Sequence, residues 1–323
     1  MSIFARLSRG RSVAIRPMRA DDLERVREVG QIAWSDLAMQ DIGRRFRYPK
    51  RSEKLIGSYM ATEPGGCLVA ERDGTIVGSA FCHVWGGIGW IGPLEVLPDE
   101  QNTGVGKALL SACERHLEER GCEVIGLETM SHLSKNLHFY LSSGYAPTSV
   151  VLIMERVMRD DAVHPHFVEE LTAATLPSVL EDITRLGQEL APSLDHAVEA
   201  RMAVERRMGS VFVSRRDGAV AGFAILHTYQ KDEEARYSSI KVLIVDPDRD
   251  DQKEVFDALL DRCEQASASA GKDHVLARLS AMSPELYQHM LSRSYLLKGA
   301  NVRMVKKGKY EERGIYHITS WAG

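Results

Sequence analysis

Two distant stretches of this sequence carry the same pattern. An apolar run from Cys67 to Glu71 turns at Arg72-Asp73-Gly74 into a second run from Thr75 to Gly78. The runs Val211 to Arg215 and Ala219 to Gly222 flank Arg216-Asp217-Gly218 in the same way. Asp-Gly between apolar runs is the strongest short signal for a hairpin. The two hairpins lie 144 residues apart. Further along the spacing becomes 150: Ala108-Leu109-Leu110 returns as Ala258-Leu259-Leu260, Cys113-Glu114 as Cys263-Glu264, Gly121 as Gly271 and Tyr145 as Tyr295. Six extra residues in the second copy reconcile the spacings, and the polar stretch from Gln230 to Arg236 has room for most of them. A period near 150 is too long for a solenoid and marks a duplicated domain. The run from Arg159 to Pro165 is polar, charged and proline-bearing, which is linker chemistry. It divides the 323 residues into 1–158 and 159–323, each of ordinary domain size.

The first copy sets the order of elements. Ala20 to Arg45 reads as a helix, Ser52 to Ala61 as a second, and Cys67–Glu71, Thr75–Val84 and Ile88–Leu97 as strands. From Gly104 to Arg120 the apolar residues Val105, Leu109, Cys113 and Leu117 fall on one helical face, and Gly121 is placed to end that helix. A strand at Val124–Met130, a helix at Ser134–Ser143 and a strand at Thr148–Val157 complete the copy. This order predicts an α/β fold, a mixed α+β sheet with helices on both faces. With 41 basic against 45 acidic residues there is no broad basic footprint, so nucleic acid is not an expected partner. The local run Arg44, Arg45, Arg47, Lys50 and Arg51 reads as a solvated loop. Five cysteines, an odd number with no CxxC pair, argue against disulfides and a zinc site, and suit buried thiols in a reducing cytoplasm. No apolar stretch suggests a signal peptide or a membrane span.

The chemistry concentrates where a strand ending Leu94-Glu95-Val96 runs through Gln101, Asn102, Thr103, Gly104, Val105, Gly106 and Lys107 into a helix. The first turn of a helix has N–H groups without partners and a partial positive charge. Glycines let that backbone approach a phosphate, and Lys107 adds a cation. Alone, Gly-x-Gly is a weak signal. It lacks the third glycine of a dinucleotide fingerprint and the ending of a P-loop.

Its surroundings are more specific. Leu94, Val96 and Pro98, then Gln101, Gly104 and Gly106, then Ala108 to Leu110 resemble the coenzyme motif of GNAT acetyltransferases. The segment Tyr140-Leu141-Ser142-Ser143-Gly144-Tyr145 resembles the end of a later motif of that family. The chain is thereby identified as a tandem of two GNAT-like domains, the second looser than the first. The resemblance implies acetyl-CoA as cosubstrate, no metal, and a primary amine acceptor on a small molecule or a peptide. It implies that backbone groups of Leu94, Glu95 and Val96 hold the pantetheine arm and that Gln101 to Lys107 hold the pyrophosphate. Tyr140 is then the acid that returns a proton to the leaving thiolate. Glu128 and Glu95 are the carboxylates placed to deprotonate the amine, whose pKa in water is about 10.4 for a lysine-type group. Leu133 stands where many relatives carry a pantetheine-contacting asparagine, a departure from the family pattern that leaves that contact open. His132 and His138 nearby read as ordinary surface histidines.

The second copy departs from the motif. From Val245 to Phe256 it has no glycine; Glu254 and Phe256 stand at the places of Gly104 and Gly106, and Asp248, Asp250 and Asp251 add negative charge. Met290 replaces Tyr140 and Ser294 replaces Gly144. The second half is thus expected to be structural or substrate-shaping. The alternative to an enzyme is a non-catalytic acyl-CoA sensor or scaffold. Self-association and the acceptor's identity stay open at this point.

Overall fold

The computed structural model describes residues 12–43, 46–158, 167–229 and 235–321. The expected linker from 159 to 166, most of the insertion after Tyr229, and Arg44 and Arg45 lie outside the described residues. In the first half the order is β1 (Ala14–Pro17), α1 (Leu23–Ile42), α2 (Glu53–Thr62), β2 (Cys67–Arg72), β3 (Thr75–Trp85), β4 (Ile88–Val96), α3 (Val105–Glu119), β5 (Val124–Met130), α4 (Ser134–Ser142) and β6 (Ala146–Val157). The second half runs β7 (Val168–Glu170), α5 (Leu180–Leu190), α6 (Ala197–Glu205), β8 (Gly209–Arg216), β9 (Ala219–His227), β10 (Tyr237–Val245), α7 (Gln252–Ser269), β11 (His274–Ser280), α8 (Pro284–Ser292), β12 (Leu296–Lys307) and β13 (His317–Thr319).

The repeat is visible in these bounds. Strands β5 and β11 and strands β6 and β12 each start and end 150 residues apart. Both hairpin turns place their aspartate in the left-handed region, Asp73 at φ 51° and Asp217 at φ 53°, each followed by a glycine at positive φ. Helix α1 stops short of Arg45 because Gly43 adopts φ 64° and its N–H closes onto the carbonyl of Met39. Ser52 caps α2 by accepting from the N–H of Leu55.

All the described strands belong to one sheet of 13, ordered β1-β2-β3-β4-β5-β12-β6-β11-β10-β9-β8-β7, with β13 on β10. The two halves exchange their final long strands. Strand β12 of the second half pairs antiparallel with β5 of the first, and β6 of the first half pairs antiparallel with β11 of the second. The exchanged strands pair with each other at the centre. Equivalent side chains pin them. Lys306 on β12 reaches Glu114 on α3 at 2.7 Å, while Arg156 on β6 pairs with Glu264 on α7. Those glutamates also accept from Tyr145 and Tyr295, at 3.1 and 2.8 Å.

Apolar packing follows the same joint construction. One buried cluster unites Trp85, Ile88, Trp90 and Val124 of the first half with Leu186, Phe223, Val242, Ile244 and Trp321 of the second. Helix α6 packs on β3 and α2 of the first half.

Candidate active site

Strands β4 and β5 run parallel, but they pair only from Ile88 to Ile91 against Val124 to Leu127. Pro93 follows, and it has no N–H to extend the ladder. Beyond it Leu94–Val96 and Glu128–Met130 diverge. The opening is a cleft of about 880 Å³, within the range of small-ligand sites. Its lining includes Leu94, Glu95, Val96, Gln101, Asn102, Gly104, Gly106, Lys107 and Tyr140, together with Trp34 and Leu37 of α1 and Asn136, His138 and Phe139 of α4.

Helix α3 begins at one end of this cleft. Gly104 is its N-cap, at φ 95°, and no side chain caps the helix. The first free amides of α3 therefore have no protein partner in their own helix. A Cβ on Gly104 would meet nothing within 4 Å, and one on Gly106 would only touch the ring of Phe139 at 3.5 Å. The space over this turn is open for a ligand. Thr103 and Val105, also expected at the coenzyme, do not line the cleft. Thr103 donates its hydroxyl to the carbonyl of Glu100 at 2.7 Å, and Val105 is fully buried in the core. Gln101 braces the loop, donating to the carbonyl of Val96 at 3.2 Å and accepting from Lys135 at 2.5 Å.

The two glutamates differ in how they are held. Glu95 is buried and grasped on both oxygens. Arg51 donates to them at 2.8 and 3.0 Å, and the Trp34 indole N–H donates to Oε1 at 2.6 Å. Arg51 is thus not part of a solvated loop: it is 10% exposed and locked onto Glu95. Lys50 pairs with Glu24. Glu128, its side chain 3% exposed, accepts on Oε1 from Arg303 of the exchanged strand β12 at 3.0 and 3.1 Å. Its Oε2 is buried and has no hydrogen-bond partner among the described residues. Arg303 sits directly opposite Glu128 in the β5–β12 register and also binds Glu312 at 3.0 Å. Glu128 does not line the cleft. It faces the other side of the sheet, toward the apolar cluster shared by the two halves.

Tyr140 lies on α4 at the cleft, against the rings of Phe139 and Tyr145. Burial pushes its phenol up to about 12, so it stays protonated in neutral water. Its hydroxyl makes no hydrogen bond among the described residues, which leaves the proton free for a ligand. His132 is exposed and pairs with Asp41 at 3.0 Å, and His138 is an exposed residue at the rim.

The corresponding cleft of the second half is closed. Strands β10 and β11 pair only from Tyr237 to Ser239 and then diverge, as β4 and β5 do. There β13 lies along β10, pairing Thr319, Ile318 and His317 with Val242, Leu243 and Ile244. Strand β13 thus takes the edge of β10 whose counterpart on β4 is left unpaired in the first half. Met290, at the place of Tyr140, is fully buried.

Residues 28–145 match the profile of the acetyltransferase (GNAT) family. An acetyltransferase of Sodalis glossinidius is 30% identical over 152 residues, which cover 45% of this chain and 96% of that protein. The chain belongs to the GNAT acetyltransferase family. Mycothiol acetyltransferase of Cellulomonas flavigena is 34% identical over 99 residues, but these span 27% of this chain and only 28% of that protein. Among solved structures, a GCN5-related N-acetyltransferase of Sphaerobacter thermophilus matches with TM-score 0.61 at 15% identity, covering 96% of this chain and 98% of that one. A tandem GNAT protein from the clavulanic acid biosynthesis pathway matches with TM-score 0.59 at 14% identity over 92% and 98%. Both share the fold across both halves. The GNAT fold is thus repeated along this chain.

No described helix is long and apolar enough to cross a membrane. Arg303, β13 and the exchange of strands were not anticipated from the sequence. The signal that points to Arg303 is faint: an arginine among apolar residues of a strand whose counterpart in the first half, Ile153, is apolar.

Proposed function

We propose that this GNAT protein transfers an acetyl group from acetyl-CoA to a primary amine by direct attack, with its coenzyme site in residues 1–158 alone. The observation that carries this reading is the cleft between β4 and β5 with the uncapped, glycine-led start of α3 at its end. The α3 amides and Lys107 would hold the pyrophosphate, and the unpaired edge of β4 from Leu94 to Val96 would hold the pantetheine arm. The coenzyme supplies the activated thioester. The residues supply position and proton transfer.

Glu128 is the better candidate for accepting the amine's proton, directly or through water. Its Oε2, though buried, has no hydrogen-bond partner among the described residues, whereas both oxygens of Glu95 are committed to Arg51 and Trp34. Tyr140 then gives its proton to the departing thiolate and is reprotonated from solvent. The C-terminal half, residues 159–323, carries no coenzyme and completes the first half through β12. Its degenerate cleft is already filled by β13. The five buried free thiols suit a reducing compartment such as the cytoplasm.

The test is a Tyr140→Phe variant. Acetyl-CoA binding by calorimetry should persist, while release of CoA with an amine panel should fall about 100-fold or more. Unchanged turnover would remove Tyr140 as the acid. Absence of acetyl-CoA binding to the unmodified protein would overturn the whole reading.

A further inference from the structure

A second cavity of about 280 Å³ lies where the halves meet, lined by residues of both. The first half contributes His83 on β3; the second contributes Glu199 on α6, Ser239 and Lys241 on β10, Arg278 on β11, and Ser320. It abuts the point where the β4 ladder ends, because His83 Nε2 lies 2.8 Å from the carbonyl oxygen of Gly92. Glu128 is tied to the same wall, because Arg303, which donates to it at 3.0 Å, also donates to the carbonyl of Thr319 at 3.2 Å, one residue before Ser320. Through His83 the cavity therefore borders β4 at Gly92, just past the last residue that pairs with β5.

Its acidic groups are already engaged. Glu199 accepts from the Trp85 indole N–H at 3.0 Å and lies 3.1 Å from His227. Asp195 accepts from Thr184 at 2.8 Å and from the N–H of Ala197 at 2.8 Å. Glu63 pairs with Arg120 and His116. Arg278 is different. It is 8% exposed, it forms no ion pair among the described residues, and its Nε has no partner. Its Nη1 meets only two hydroxyls, Ser320 at 3.3 Å and Ser239 at 3.4 Å. A buried guanidinium in such a setting is costly unless an anion joins it. Arg278 also stands 150 residues after Glu128, at the matching place on the matching strand. The duplication has put a cation where the first copy keeps its carboxylate.

Resting on the transferase reading above, we infer that the acceptor is a small amine that also carries a carboxylate, with the carboxylate held by Arg278, Ser239 and Ser320 while the amine points toward Glu128. Charge balance agrees. Glu128, Glu199 and Glu312 share this interior with Arg278, Lys241 and Arg303, so a zwitterion adds no net charge to it. A planar guanidinium matches a carboxylate with two parallel hydrogen bonds, which sets the ligand's orientation.

The test uses the full chain with acetyl-CoA and matched acceptors: glycine, β-alanine and 4-aminobutyrate against their amides and the corresponding alkylamines, with O-phosphoethanolamine as the phosphate arm. The expected result is a preference for an amino acid over its amide of at least about 10-fold in kcat/KM. Arg278→Met should raise the KM for that amino acid about 10- to 100-fold and erase the preference, with acetyl-CoA binding and melting temperature kept, and Arg278→Lys should recover part of it. Equal use of acid and amide, an unchanged KM in Arg278→Met, or a preference for O-phosphoethanolamine overturns the inference. Should Arg278→Met not fold, calorimetry on the unmodified protein with CoA decides: binding of the zwitterions but not their amides supports the assignment, and equal binding refutes it. If no amine is turned over although acetyl-CoA binds, the transferase reading fails, and the same calorimetry still judges the carboxylate site separately.

Discussion

Replacing Arg303 by methionine should unfold this protein more easily than almost any other single change. Arg303 is 1% exposed and is the shared partner of Glu128 and Glu312, whose side chains are 3% and 7% exposed. At 3.0 Å and an effective dielectric near 20, each contact has a gross attraction of roughly 5 kcal/mol. Most of that only offsets desolvation. Removing the cation leaves two carboxylates without it, and the typical cost of breaking such a buried pair is about 3–5 kcal/mol. Against a total stability of about 5–15 kcal/mol that is a large fraction. Urea denaturation followed by tryptophan fluorescence is the natural assay, because the rings of Trp90 and Trp321 lie 5.9 and 5.6 Å from the guanidinium carbon. Adding Glu128→Gln to Arg303→Met should restore part of the loss, since it removes one stranded charge, whereas Glu128→Gln alone should destabilise. A loss below about 1 kcal/mol for Arg303→Met would refute the reasoning, because it would mean that water screens the cluster.

Gly104→Ala should cost about 1 kcal/mol through its left-handed backbone, with no steric clash, and differential scanning calorimetry should detect it. Gly106→Glu should leave the melting temperature nearly unchanged yet weaken acetyl-CoA binding about 100-fold, because it sets a carboxylate over the anion cradle. Similar affinity would undo the cradle assignment. Stability should also fall as pH drops from about 6.5 to 4. Burial holds His83 and His196 down at about 4, so the unfolded chain takes up their protons first. Each contributes a slope of up to about 1.4 kcal/mol per pH unit. Glu312 adds an effect of the same sign at lower pH: burial opposes its ionisation, but Arg303 and His317 overcome that and hold it well below the usual range. His196→Phe should flatten the upper part of this profile in urea titrations at pH 4 to 7, and an unaltered slope would exclude His196 as a source.

Most of the local structure was readable in the sequence because local rules decide it. The Asp-Gly turns, the Ser52 cap and the 3.6-residue apolar spacing of α3 act over a few residues. The start of α3 was equally legible, since Gly104 takes a left-handed backbone there. Strand partners were not legible. Strands β6 and β12 descend from one ancestor and fit either slot, so their own patterns do not say which half each completes. The same gap hid Arg303 from Glu128 and Arg51 from Glu95, which are neighbours only after folding. The helix expected to reach Arg45 ends three residues earlier, at Ile42, because Gly43 takes a left-handed backbone that the apolar spacing does not reveal.

The reciprocal hand-over of β6 and β12 has a historical meaning. Once each copy closes its hydrogen-bonding rim with the other's strand, neither can be deleted, transplanted or shortened at the joint without leaving a raw edge. The second half is thereby retained for its strand alone, and its other changes are free to accumulate wherever they serve its sibling.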